Sequence, residues 1–408
     1  MRRLALAVLV SVCAISCDKD DPGPQDLVTY TLDVDRTAWL FASGPDGKVL
    51  DWKQLEYKQP VSLTAPNPPD SFSITMVLME RSRPLFLSIS TYTGIEPGSV
   101  FAPSIYDPEE PENAEQEGKV TIQVTNYPDQ QELPLIVADE FQSTSYTSTG
   151  TNTPTFLMSV WKSKTSQFLV NGYDGDMLHP VYKYIDTPGA GSTAQADFKT
   201  FMPYDKTIDI KGFDTDMDAR LAFTMFGSDD DLVNGVQFSE FTWDYKGISP
   251  VAKVGYLDDF NNYTIELRLY EFDKRGVIRS RAYRNNGPIT KPIVLPNDQL
   301  TMNNSTLAGL SFSFSGNYQM RMHNYTNETS ASAITWTVYS GFGDPSPIKE
   351  IPGELLSMYP DMDLNSFVYV GSSFYSYDDD YTYKKFIQDV STTSFGPVHP
   401  GYEQAFFK

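Results

Sequence analysis

From residue 27 onward, apolar side chains recur at every second position, and this period limits the fold more than any other feature of the chain. Val28, Tyr30, Leu32 and Val34 alternate with polar partners, as do Phe72, Ile74, Met76 and Leu78. The same pattern returns at Val120, Ile122 and Val124, at Ile265, Leu267 and Leu269, and at Leu310, Phe312 and Phe314. It returns again at Tyr318, Met320 and Met322, and at Ile334, Trp336 and Val338. A strand turns successive side chains to opposite faces, so such alternation places one face on a core and the other toward water, as in antiparallel sheets. Parallel strands covered on both faces would read as unbroken apolar runs. Turn chemistry agrees. Gly44-Pro45-Asp46-Gly47 separates Trp39-Leu40-Phe41 from Val49-Leu50, and Asp273-Lys274-Arg275-Gly276 joins two long alternating runs, so both predict hairpins. Helical signal is scarce: a short helix is expected near Pro352, ended by Pro360, and a second over 194–202. The class expected is all-β, with two or three stacked antiparallel β-sandwich modules and minor short helices.

The clearest composition shift falls at 105–118, where Asp107, Glu109, Glu110, Glu112, Glu115 and Glu117 alternate with prolines and cannot form a core. This is expected to be an acidic linker or loop. Residues 27–104 before it have the size of an immunoglobulin or fibronectin III-like sandwich. Residues 119–408 exceed one ordinary sandwich and are expected to hold one larger all-β region or two modules dividing near 235.

Across 408 residues the formal net charge is −22, which argues against nucleic acid as a partner, because an acidic surface repels phosphate. There are only 2 Cys, so neither a disulfide scaffold nor a Cys-based zinc cluster is available. Both lie in the opening segment. Arg2 and Arg3 form a positive start, Leu4 to Val12 an apolar stretch too short to span a bilayer, and Ala14-Ile15-Ser16 leads into Cys17. This segment resembles a bacterial lipoprotein signal, with Ala14 where the family prefers Leu. The resemblance implies a signal peptide over 1–16, a diacylglycerol group on the Cys17 sulfur and cleavage before that residue. Two or three acyl chains on one residue suffice for stable anchoring. The tether 17–26 begins Asp18-Lys19-Asp20-Asp21, which resembles the export signal that sends lipoproteins of Bacteroidetes-type bacteria to the outer leaflet of the outer membrane. The alternative reading of that run is a plain solvated tether. The resemblance covers this segment alone.

Catalytic signatures are scarce. Gly189-Ala190-Gly191-Ser192-Thr193-Ala194 matches the spacing of a dinucleotide loop but lacks the βαβ context that such a loop needs. Of the three histidines, His323 falls on the polar side of an alternating strand, and His179 and His399 each precede a proline. No cofactor is expected. The alternating carboxylates Asp214, Asp216 and Asp218 read as solvated turn residues or as a structural calcium site, although Ala219 and Met225 stand where a helix–loop–helix calcium loop needs Gly and Glu. The stretch 374–383 reads as a hairpin with tyrosines at alternate positions on both arms and an acidic tip. Tyr375, Tyr377, Tyr381 and Tyr383 could stack on sugar rings while Asp378, Asp379 and Asp380 bind hydroxyls; the competing reading is a cross-strand aromatic ladder that stiffens the hairpin. Trp52, Trp161 and Trp243 are further candidate platforms.

These features favour a non-catalytic, lipid-anchored binding module on the cell surface, taking a glycan or an outer-membrane protein partner. The alternatives are a surface polysaccharide hydrolase working through paired carboxylates and a structural partner of an outer-membrane complex that offers its sheet edges.

Overall fold

The computed structural model describes residues 23–80, 84–102, 116–128, 134–139, 143–147, 153–161, 167–176, 178–186, 189–211, 218–228, 236–245, 251–258, 260–273, 276–289, 292–344, 348–377, 380–392 and 402–408. Residues 1–22, including Cys17, lie outside that set, as do 103–115. The chain is all-β in several sheets, with two α-helices among the described residues: α1 (Gly353–Met358) and α2 (Tyr383–Thr392). No helix among them is long and apolar enough to cross a membrane.

One sheet of twelve strands organises the molecule. Its order runs Val236–Tyr245, Asp218–Ser228, Asn262–Asp273, Gly276–Gly287, Tyr402–Phe407, Val368–Tyr377 and Met320–Glu328. It continues through Ser332–Gly341, Leu85–Ile95, Phe72–Glu80, Thr37–Ser43 and Val49–Leu55. Neighbours are antiparallel except Ser332–Gly341 and Leu85–Ile95, which run parallel with Trp336 opposite Ile89. Strands from both sides of 105–118 therefore share one sheet. The Gln116–Thr125 strand begins within that segment and pairs with Thr155–Trp161 and Thr193–Asp197.

Both hairpins expected from turn chemistry are present, and Gly47 has φ +83°, a conformation in which a Cβ would be strained. Val120, Ile122 and Val124 are all inaccessible, as are Ile334, Trp336 and Val338, whereas Met76, Leu78, Leu310, Phe312, Phe314, Tyr318 and Met322 of the other alternating runs are only half-buried. The strand Thr37–Ser43, one in from the sheet's edge, is buried almost throughout because both sheet faces are covered there. On one face, Trp39, Phe41, Ile89 and Trp336 pack with Leu355 of α1 and Met362 of the following turn. On the other, Leu40 and Ala42 meet the small sheet containing Gln25–Thr31. At the opposite end, Leu221, Phe223 and Leu267 form a core beneath the strands Lys206–Lys211 and Val251–Tyr256. Trp336 satisfies its indole N–H by donating to the Thr91 hydroxyl at 2.9 Å, and Thr91 is 2.8 Å from the Thr75 hydroxyl. That chain of bonds crosses the parallel pair within the buried core.

Three local readings are corrected. Residues 194–202 are not a helix: the strand Thr193–Asp197 leads into a single 3₁₀ turn, Phe198–Thr200, capped when Asp197 accepts from the Lys199 N–H. Residues 374–383 are not a hairpin: the Val368–Tyr377 strand ends and the chain enters α2, with Thr382 accepting from the backbone N–H groups of Lys385 and Phe386. Tyr383, Phe386, Ile387 and Val390 recur at the 3, 4 and 7 spacing of a helix face and pack together, so the helical period overrode the short-range tyrosine alternation. His323 is fully buried, not on a solvated side, because the sheet is covered on that face as well.

Candidate functional site

A cleft of about 370 Å³ opens where two central strands meet a short hairpin. Its floor comes from Val368–Tyr377 and Tyr402–Phe407, which pair with Phe374 opposite Ala405 and Ser376 opposite Glu403. Cross-strand partners share a face, so this register sends Phe374, Ser376, Glu403 and Ala405 to the cleft. The walls are the 296–298 loop and the segment Phe314-Ser315-Gly316-Asn317, which leaves the hairpin of Leu300–Asn304 and Ser311–Phe314.

The loop carrying Asp298 is tied from two sides. The Ser315 N–H donates to the Gln299 carbonyl at 3.0 Å, and the Gln299 N–H donates to the Ser315 hydroxyl at 2.8 Å. Behind the wall, Arg279 donates to the Asn297 side-chain oxygen at 3.1 Å and to the Pro296 carbonyl at 3.4 Å, and Arg281 reaches the same carbonyl at 3.3 Å. Arg281 also forms a 2.7 Å ion pair with Glu271, both side chains being about 2% exposed or less. Glu271 Oε2 faces the Arg279 Nε at 3.4 Å. A buried carboxylate thus braces two guanidinium groups, and both hold the loop. Asp298 lies against the Cα of Gly316: a Cβ built there would come within 2.5 to 2.6 Å of its carboxyl atoms. Burial pushes the pKa of Asp298 up from its ordinary value, and Arg279 opposes the shift.

Aromatic rings continue from the cleft floor to the surface. Phe314 stacks on Phe374 with centroids 4.0 Å apart, and Tyr318 meets Phe374 edge-on at 5.2 Å. Tyr318 in turn contacts Phe342 at 5.3 Å, and Phe342 is 74% exposed. The Phe342 turn is fixed by Asp344, whose carboxylate accepts from the Gly341 N–H at 3.0 Å, and by Gly343 at φ +79°. The site therefore combines a row of rings with two carboxylates, an amide (Asn317) and a hydroxyl (Ser376), the groups that can cover the C–H face of a ring-shaped polar ligand and pair with its hydroxyls.

The residues singled out from sequence fall elsewhere. Tyr375 and Tyr377 share a strand with Phe374 and Ser376 but point to the opposite face, where they stack on one another at 6.0 Å. Tyr377, Tyr381 and Tyr383 are buried and Tyr375 is half-buried. Tyr383 donates its hydroxyl to the Tyr339 carbonyl at 2.8 Å and accepts from the Thr93 N–H, and Tyr381 donates to Asp389 at 2.7 Å. Burial pushes all four phenols upward in pKa, so they stay neutral. Asp380 is exposed, while Asp378 and Asp379 lie outside the described residues. So do Asp214 and Asp216 and the side chain of Asp218, and no group of metal-ligating side chains occurs among the described residues. Trp52 is half-buried against the core, and the side chains of Trp161 and Trp243 are outside the description.

A larger depression, about 560 Å³, lies beside the Thr37–Ser43 strand around Arg36 and Glu80. Those two already form a 2.6 Å ion pair and no ring lines the depression, so it offers less to a ligand. No protein-family model matches this chain, and a search of curated proteins gives no significant match.

Proposed function

We propose that this chain is a cell-surface lipoprotein, held in the outer membrane by acyl groups on Cys17, that binds a glycan in the cleft between Asp298 and Glu403 without cleaving it. The observation that carries the reading is the row Phe342–Tyr318–Phe314 running into a cleft lined by two carboxylates, Asn317 and Ser376. Sugar rings present flat C–H faces to aromatic side chains and hydroxyls to carboxylates and amides, so the same wall serves both needs. The lipobox-like segment ending at Cys17 and the acidic tether after it support the location.

One observation favours a second reading, a polysaccharide hydrolase. Asp298 shares the cleft with Glu403, and glycoside hydrolysis works through two carboxyl groups that flank the scissile bond. One experiment separates the two. The mature chain is incubated with a polysaccharide panel while retention and new reducing ends are followed together. Retention without release is the expected outcome; release establishes the hydrolase; neither, across the panel, leaves assembly with an outer-membrane protein as the standing alternative. Cys17→Ala is expected to abolish radiolabelled palmitate incorporation and move the protein to the soluble fraction.

A further inference from the structure

Among the described residues, Arg279, Arg281 and Arg321 lie near the cleft but outside its lining, and Arg321, opposite Phe374 on the neighbouring strand, donates to the Asp344 carbonyl. Arg281 is committed to Glu271 at 2.7 Å and to the Pro296 carbonyl, and Arg279 to Asn297, Pro296 and the far oxygen of Glu271. Neither guanidinium lines the cleft, and no lysine or arginine among the described residues does; the charged residues of its described lining are Asp298 and Glu403. The two guanidinium groups against one buried glutamate leave a single positive charge behind the loop, facing Asp298 from the protein side. From the ligand side Asp298 meets no cation of the lining. The aromatic row adds a second preference of the same sign, because the faces of Phe314, Tyr318 and Phe342 carry negative quadrupole density that attracts ammonium groups.

We infer that the cleft takes amine-bearing saccharides, polymers of 2-amino sugars, in preference to neutral ones, and rejects saccharides carrying carboxylates. This rests on the glycan reading above. An ammonium placed beside Asp298 gains attraction in a partly desolvated cleft, where charge interactions are several times stronger than in bulk water, and a uronate in the same place meets repulsion of similar size. Consecutive rings of the row lie 5.3 and 5.8 Å apart with their planes inclined by 56° and 66°, so a bound sugar ring can lie on one face while the next ring meets it edge-on. A lysine-rich peptide would supply the charge but has no flat ring to set against that row.

The test measures binding of three short oligosaccharides to the mature full-length chain by calorimetry: a chitosan oligomer, its N-acetylated chitin counterpart and an oligogalacturonate. The chitosan oligomer is expected to bind on the order of 10-fold more tightly than the chitin oligomer, with the oligogalacturonate weakest. Asp298→Asn, close in shape and checked by its melting temperature, should shrink the chitosan preference to about 3-fold or less and strengthen the oligogalacturonate. Diffuse attraction to the acidic protein as a whole would survive that single substitution, so an unchanged preference in Asp298→Asn overturns the inference. Equal affinity for all three oligosaccharides also overturns it while leaving the glycan reading intact. Retention of none of them, together with none of the polysaccharide panel, removes both. Binding of a short oligolysine that is sensitive to Asp298→Asn, without binding of the chitosan oligomer, overturns it in favour of a basic peptide. Should Asp298→Asn fail to fold, Gly316→Ala provides the second variant, because it displaces the same carboxylate from the opposite wall.

Discussion

The Phe314 ring lies flat on the Phe374 ring, with centroids 4.0 Å apart and planes 6° from parallel, and this stack joins the short hairpin to the twelve-stranded sheet. Phe374 is fixed within the sheet and 2% exposed, whereas Phe314 is half-buried at the hairpin's end. The stack seats the hairpin wall on the sheet floor, and the cleft lies at their junction.

Phe314→Ala removes the wall's ring and leaves the sheet untouched. Ligand retention is expected to fall at least about 10-fold, with a stability loss of roughly 1–2 kcal/mol because the ring is only half-buried. Retention equal to wild type on the same polysaccharide would place the binding face elsewhere.

Gly316→Ala is expected to weaken retention with little loss of stability. The backbone at 316 does not have positive φ, so alanine is allowed there, and the atoms it meets belong to the short, movable end of Asp298. The carboxylate shifts and the fold remains. A melting temperature lowered by many degrees would show that Gly316 has a structural task beyond making room for Asp298.

Glu271→Gln leaves two guanidinium groups in the sheet without the carboxylate that joins them. The expected cost is about 3–5 kcal/mol, read as a lower urea midpoint, because an uncompensated buried charge remains. Glu271→Leu combined with Arg281→Met should recover most of that loss. A single-variant cost below about 1 kcal/mol would mean that water already reaches the pair.

His323 contributes a pH dependence of stability with a definite sign. Its Nδ1 lies 2.5 Å from the Ser372 hydroxyl, which is 2.6 Å from the Tyr369 hydroxyl. Burial, with Arg321 as the smaller cause, pushes the imidazole from its ordinary 6.5 down to about 3. Between those values the unfolded chain binds a proton that the folded chain refuses, so this group makes stability fall as pH drops through that window. Its slope is about 1.4 kcal/mol per pH unit, levelling once both states are protonated. His323→Gln, which retains a partner for Ser372, should flatten the curve of melting temperature against pH over that range. Parallel curves for variant and wild type would show that other groups govern acid unfolding.

The legible and illegible parts of the site lie side by side in one strand. The alternation that read 374–383 as a hairpin also separated the residues of its first arm into two sets, Tyr375 and Tyr377 against Phe374 and Ser376. Sequence pointed to the tyrosines because they were numerous. The cleft uses the other set, since the tyrosine side is closed by α2. The spacing of Tyr383, Phe386, Ile387 and Val390 was available as the signal for that helix. Phe342 could have drawn attention as a large ring between two glycines just beyond an alternating run, but its partners Tyr318 and Phe374 come from other strands.

What the chain determined alone is what depends on neighbours in sequence. Alternation specifies strands, Gly47 specifies a tight turn, and Pro352 with Pro360 bracket a short helix, because each acts through local backbone geometry. Tertiary structure decided which strands pair and which face is covered. The parallel contact of Leu85–Ile95 with Ser332–Gly341 brings together residues some 245 positions apart, as in the Trp336–Thr91 bond. His323 became buried, and Asp298 came to face Glu403's cleft, through the same kind of choice. An alternating strand offers two faces of comparable design, and only the packing of distant elements determines which of them meets solvent.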